Sequence, residues 1–383
     1  MKFLSSRLLL MLRLKNTAPF VHVPSFAIIL MTLASNVVSI CAFGQIAPLL
    51  PEVREGDYVT KDFHFKDGEV LPELRIHYRL LGQPHRNPNG HVDNAVLLLH
   101  MTGPDGAVFL SPPFGGVLFV PGGVLDASKY FLILPDGIGH GKSSKPSDGL
   151  HSHFPKYDYD DMVAAEHMLV TDGLQVDHLR LILGASMGCM HTWMWGENYP
   201  GAADALAALA CMPAQIAGKN RAWRYMIIKA ITDDPGYMQG DYKTEPASLR
   251  TAADLMVMLD ITPLKVLKQC QSRDAADKCT EDYWSWAAKN FDANDLLYAI
   301  NASRNYDPSA DLEKIHVPLT AIDSADDALY PPDVNVLPTQ IKRVQKGKFV
   351  MLPASRFTRG EGTDMLAALW SNYLAELLDR SQP

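Results

Sequence analysis

The sequence predicts an α/β protein: a mostly parallel, twisted sheet flanked by helices, with a helical insertion late in the chain. Short apolar runs fit for burial on both faces alternate with helical patterns. One of them, Leu179 to Leu183, passes directly into Gly184-Ala-Ser-Met-Gly188 and then into a helix. From 214 to 305 the alternation stops, and the chain reads as helix with no convincing central strand.

The elements follow in chain order. The first 51 residues carry Lys2, Arg7, Arg13 and Lys15 but no acidic residue. This basic start precedes an apolar run from Ser25 to Phe43, and Ala42 and Gly44 offer a cleavage point, so 1–44 is expected to be an export signal. An uncleaved anchor and an Arg-rich transit peptide are the alternatives. Tyr58 to Lys66 and Glu73 to Leu81 read as an opening hairpin with Asp67-Gly68 in its turn. Buried strands are expected at 94–100, 130–135, 179–183, 205–211, 317–322 and 348–352. The insertion, which carries Trp223, Trp284 and Trp286, is most simply a lid over the carboxyl edge of the sheet, where such folds bind ligands.

Composition narrows the function classes. The chain has 383 residues, 47% of them hydrophobic and 20% charged, enough to bury a sizeable core. A net charge of −8 without a Lys/Arg stripe argues against a nucleic-acid partner. Export would let disulfides persist. Of five cysteines, Cys189 and Cys211 lie in apolar segments and are expected as buried thiols, while Cys270 and Cys279 are either bridged or a pair of surface thiols. No Cys/His spacing suggests zinc, His151-Ser-His153 reads as a solvated pair, and no metal or organic cofactor is implied.

Gly-x-Ser-x-Gly gains meaning from its setting. After a strand and before the helix expected over Met187 to Tyr199, it is the sharp turn that exposes a nucleophilic Ser186 at a sheet edge. Gly184 and Gly188 remove the Cβ atoms that would collide as strand and helix meet. The amide of Met187 at the helix start is half of an oxyanion hole. His100-Met-Thr-Gly-Pro104 supplies the other half through Met101 or Thr102, with His100 expected as a core histidine bonded at the strand end. The acid belongs after a late strand, where Ile322 to Pro332 presents Asp323, Asp326 and Asp327. Asp327 is preferred, Asp326 is the alternative, and Asp323 is expected to lie still within the strand. Gly137-Ile-Gly-His-Gly-Lys-Ser143 imitates a phosphate-binding loop, but Asp136 stands where that loop needs glycine and would repel phosphate.

These residues resemble a known group. Gly184-Ala-Ser-Met-Gly-Cys-Met190 with Tyr199-Pro200, Asn220-Arg-Ala-Trp-Arg224 followed by Asp234-Pro235 and Gly240-Asp-Tyr242, and Asp307-Pro308 are similar to the homoserine O-acetyltransferase family of α/β hydrolases. The likeness runs over most of the chain from about residue 55. It implies an α/β-hydrolase core in two parts, 55–213 and 306–383, around a helical lid at 214–305. It also implies an acylated Ser186, a histidine base oriented by Asp327, and an arginine that meets a substrate carboxylate. Arg224 matches that arginine best, Arg221 is the alternative, and Tyr242 joins the substrate-binding set.

The resemblance breaks at the base. Relatives would read Arg-Gly-His-Gly-Thr after the last strand, and this chain reads Arg359-Gly-Glu-Gly-Thr363. None of the thirteen histidines lies between Val317 and the carboxyl end, and His191 points away by helical periodicity. Glu361 would share a small site with Asp327, and such a pair is expected to hold one proton between them. Three functions stay open: a hydrolase of small acyl esters working through an acyl-Ser186, a homoserine O-acetyltransferase-like acyltransferase, and a catalytically silent binding protein. The expected partner is a small acyl substrate, and a homodimer is compatible with the sequence.

Overall fold

The computed structural model describes residues 50–260 and 270–382. The export segment expected at 1–44 lies outside the described residues. Eight strands form one sheet in the order β1-β2-β4-β3-β5-β6-β7-β8. They span Arg54–His64, Val70–Leu81, Ala95–Leu99, Phe131–Pro135, Leu181–Ala185, Leu206–Leu209, Leu319–Ser324 and Gly347–Leu352, numbered β1 to β8 in chain order. β1 and β2 pair antiparallel, as does β2 with β4, and every later pairing is parallel.

The hairpin turns where expected, with Gly68 at φ +94° and its N–H on Phe65 O at 2.9 Å. Its strands run longer than the apolar alternation suggested, because β1 is half exposed and includes Arg54, Glu55 and Asp57. β3 to β6 are buried at every position, the pattern of a sheet covered on both faces. One face packs Trp193 and Trp195, and the other packs Phe109, Phe114, Phe119 and Trp370.

Helices α1 (Tyr159–Met168) and α2 (Met187–Asn198) cover the first face. The side chain and backbone of Asp158 and Asp161 cap α1 reciprocally, satisfying orphan amides of its first turn. Between β6 and β7 run α3 (Gly218–Thr232), α4 (Leu249–Asp260), α5 (Arg273–Asn290) and α6 (Ala293–Ala302), which fill the stretch expected to be helical. A last helix, α7 (Ser371–Arg380), buries Leu374, Leu377 and Leu378 on the second face.

The cysteines correct the sequence reading. Cys189 and Cys211 are bridged, as are Cys270 and Cys279. Cys189 lies in the first turn of α2 and Cys211 just beyond β6. Pairing of Ala185 with Leu209 brings their Cα atoms to 5.9 Å, inside the range of about 4.4–6.8 Å that a bridge requires. Apolar surroundings are common to buried thiols and buried disulfides, so composition alone could not separate them.

Candidate active site

β5 ends at Ala185, and the next residue breaks every backbone preference. Ser186 sits at φ 50°, ψ −108°, a strained conformation for a residue with a side chain, of the kind that concentrates at functional sites. Two bonds hold it there: Ser186 N–H donates to Leu209 O at 2.9 Å, and Gly188 N–H to His100 O at 3.0 Å. The glycines are obligatory for space. A Cβ on Gly184 would lie 1.9 Å from Gly188 O, and one on Gly188 would lie 1.9 Å from Leu99 O.

The Ser186 hydroxyl donates to Glu361 Oε1. Glu361 reaches it from a turn in which Gly360 takes φ +61°, Thr363 N–H donates to Gly360 O at 3.0 Å, and Arg359 N–H donates to Thr363 Oγ1 at 2.8 Å. Asp326 tethers that loop, accepting from the hydroxyls of Ser324 and Thr358. Its carboxylate is thereby committed to the loop, so the alternative in which Asp326 serves Ser186 is not what the geometry supplies.

Asp327 is buried, and its Oδ1 accepts from the amides of Leu329 at 2.6 Å and Tyr330 at 3.1 Å. Its Oδ2, also buried, finds no hydrogen-bond donor among the described residues. Asp323 ends up inside β7 as expected, yet its side chain is buried beside Asp327 rather than idle. Burial, then the negative charge of Asp327, pushes Asp323 well above the usual carboxylate range. Burial also raises Asp327, against the pull of its two amide donors. The sequence paired Asp327 with Glu361 for a shared proton; the structure adds a third buried carboxyl, Asp323, beside Asp327. The sequence placed Asp323 within the strand correctly but did not reveal that it shares a void with Glu361.

Ser186 opens into a cleft of about 840 Å³, counting its mouth. Met101 and Thr102 line it, together with Trp223, Arg224, Met256, Tyr283, Trp286 and Phe291 from the helical insertion. Met187 starts α2, so its amide is among those left without an intrahelical acceptor. His100 is buried at the end of β3 and bonded as expected: Nε2 accepts from Gly137 N–H at 2.9 Å, and Nδ1 donates to Met101 O at 2.7 Å. Burial lowers its pKa to about 4, with the charge of His140 acting in the same sense, so its ring is neutral. His191 points away from Ser186, with Nδ1 2.8 Å from Glu166 Oε1.

Arg224 is 2% exposed, and its Nε donates to Asn220 Oδ1 at 2.9 Å. Its Nη1 has no hydrogen-bond partner among the described residues, so a buried cation with a spare N–H lines the cleft. Two other expected residues are not at the cleft wall. Arg221, three residues earlier on α3, lies about a turn away from Arg224, partly desolvated next to Arg304. Tyr242 is held within the insertion, where its hydroxyl accepts from Asn294 N–H at 3.0 Å. The aromatic cleft wall was foreshadowed by Trp223 and Trp286, while Trp284 is not part of it. The false phosphate loop is structural: Asp136 is buried and accepts from Arg79 at 2.5 Å, from Gly106 N–H at 2.9 Å and from Lys142 N–H at 3.0 Å.

A side-chain hydroxyl on a strained strand-to-helix turn, bonded to a carboxylate and opening into an aromatic cleft, stands at the carboxyl edge of a doubly wound sheet. The chain belongs to the α/β-hydrolase fold family, whose model matches residues 113–357. It is also similar to homoserine O-acetyltransferases. It is 27% identical over 355 residues to a homoserine O-acetyltransferase of Clavibacter michiganensis subsp. michiganensis, covering 79% of this chain and 89% of that protein. A probable acyltransferase of Methanothermobacter thermautotrophicus is 25% identical over 291 residues, covering 76% of this chain and 88% of that one. Among solved structures, the acetyl esterase MekB superposes with a TM-score of 0.72 at 23% identity, over 85% of this chain and 97% of that one, a likeness of fold.

Proposed function

We propose that the chain is a serine hydrolase acting on small acyl esters or related carbonyl substrates through an acyl-Ser186 intermediate, with Glu361 in the place of the base. The observation that carries this reading is the hydrogen bond from the strained Ser186 hydroxyl to Glu361 at the floor of the aromatic cleft. In the first half-reaction Ser186 Oγ attacks the acyl carbonyl while its proton passes to Glu361, which then delivers it to the departing alkoxide. In the second, water gives its proton to Glu361 as it attacks the acyl-enzyme, and Ser186 recovers its hydroxyl.

The negative oxygen formed in both halves is assigned to the amides of Met187 and Thr102. Peptide geometry favours Thr102 over Met101. The Met101 carbonyl is turned to His100, so the Thr102 N–H of the same trans peptide points the opposite way, and Thr102 lines the cleft. The His100 carbonyl is turned to Gly188, which directs the Met101 N–H away from the start of α2.

Arg224 supports a second reading, transfer of the acyl group to a carboxylate-bearing hydroxy acid such as homoserine. A buried guanidinium with a free N–H on the cleft wall suits such a carboxylate. The helical insertion would then act as the lid that encloses this end. Export, expected from the basic and apolar start, is consistent with two bridged cysteine pairs and would keep the protein from cytosolic acetyl-CoA.

The deciding experiment measures acyl release from p-nitrophenyl acetate with and without homoserine and acetyl-CoA, alongside fluorophosphonate labelling of Ser186. Hydrolysis and labelling that vanish in Ser186→Ala carry the proposal. Absence of labelling across about pH 4 to 9 would leave the silent binding protein as the reading.

A further inference from the structure

The starting point is Asp327 Oδ2, buried without a donor while Oδ1 is filled by two amides. A histidine in place of Glu361 would bring a ring N–H to this carboxylate. A carboxyl group can bring one only when protonated. Asp323 is 4% exposed, stands at the end of β7, and shares with Glu361 a small void of about 210 Å³ beneath the Ser186 loop.

The groups around Asp323 are acidic. Asp327 comes from its own loop, Glu361 and Asp364 face the void from the loop after β8, and Asp326 is turned to Ser324 and Thr358. Leu209, Ala210 and Leu352 reach the void from the flanking strands, and no cation lines it among the described residues. Asp323 and Asp327, enclosed side by side, cannot both ionise.

We propose that Asp323 is a positioning residue of the Ser186 site: as a neutral acid it donates to Asp327 Oδ2 in place of the missing ring N–H, leaving Glu361 as the ionised carboxylate facing the serine hydroxyl. The displacement of Asp323 far above the usual carboxylate range agrees with this assignment. The proposal rests on Glu361 being the base. Asp323 keeps its own proton throughout, and the serine proton travels only to Glu361 and on to the leaving group.

The test compares wild type, Asp323→Asn and Asp323→Ala as full chains hydrolysing p-nitrophenyl acetate from about pH 4 to 9. Wild-type activity falls on the alkaline side as Asp323 loses its proton. Asparagine keeps a donor but cannot ionise, so the rate at about pH 9 relative to about pH 6 rises at least about tenfold over wild type. Alanine removes the donor and lowers the rate at every pH. An Asp323→Asn profile with the wild-type alkaline limb overturns the proposal. Infrared difference spectra between wild type and Asp323→Asn supply a second measurement: a protonated-carboxyl C=O band at neutral pH that the variant lacks is expected, and its absence from the difference also overturns the proposal. Ser186→Ala separates the two layers. If that variant keeps the wild-type rate, the nucleophile reading fails, and the infrared measurement, which needs no turnover, still decides whether Asp323 is neutral.

Discussion

Replacing Glu361 by histidine should increase activity, and the site indicates by how much. The ring would face Ser186 Oγ with one nitrogen, while its other N–H would take over Asp327 Oδ2 from the Asp323 hydroxyl. That bond would fix the base in one orientation. An imidazole is also intrinsically about two pK units more basic than a carboxylate. A well-placed general base contributes about 10²–10⁴ in rate, equivalent to about 3–5 kcal/mol. Because Glu361 already supplies part of this, the expected gain in kcat/KM is about 10²-fold near pH 7.5. Fluorophosphonate labelling of Ser186 should accelerate in parallel. The acid limb of the pH profile should move up from the carboxylate range to the imidazole range. A folded Glu361→His protein with unchanged melting but neither faster turnover nor faster labelling would refute the idea that the base position limits this site.

Three further outcomes follow from other parts of the molecule. Arg224→Met should lower kcat/KM for a carboxylate-bearing ester about 10- to 100-fold more than for p-nitrophenyl acetate, from the loss of a charge-assisted bond of about 1.5–3 kcal/mol; equal losses on both substrates would remove Arg224 from substrate binding. Breaking the bridge with Cys189→Ala and Cys211→Ala should destabilise the protein by about 3 kcal/mol in denaturant melts, from the chain entropy of a 22-residue loop. Asp295, which accepts from Ser147, is raised by burial from 3.8 to about 6. A raised folded-state pKa contributes stability that is complete below about pH 4 and lost as pH climbs through about 6. Asp295→Asn, neutral throughout, should therefore be more stable than wild type by about 3 kcal/mol at pH 7.5 and match it below about pH 4, as read from urea midpoints.

The sheet was legible in the sequence because parallel strands buried on both faces leave uninterrupted apolar runs, and all six expected buried strands lie within a residue or two of where the runs put them. The Ser186 turn was legible for a steric reason. Gly184 and Gly188 each occupy a place where any Cβ would strike backbone, and that constraint is written in one short motif. Side-chain partnerships across distant segments were not legible in the same way. Arg221 and Arg224 share one helix, and only the way α3 meets the cleft selects Arg224. The Cys189–Cys211 bridge depends on β5 lying beside β6, which neither cysteine's neighbours encode.

Asp323 is the sharpest example of that distinction. The apolar run of β7 says that Asp323 lies within a strand that is buried throughout, and an isolated buried carboxylate is an expensive feature that a sequence reading passes over. Its meaning emerges only when β7 and the two loops beyond β7 and β8 are assembled, since these bring Asp327 and Glu361 to the same buried region. The backbone that shapes the Ser186 turn is pegged to β3 and β6 through His100 and Leu209, and none of those pegs involves residue 361. The turn therefore tolerates either a carboxylate or an imidazole at that position. What differs between the two is where protons reside among Asp323, Asp327 and Glu361, so the reaction is governed by their ionisation on a backbone that the exchange leaves intact.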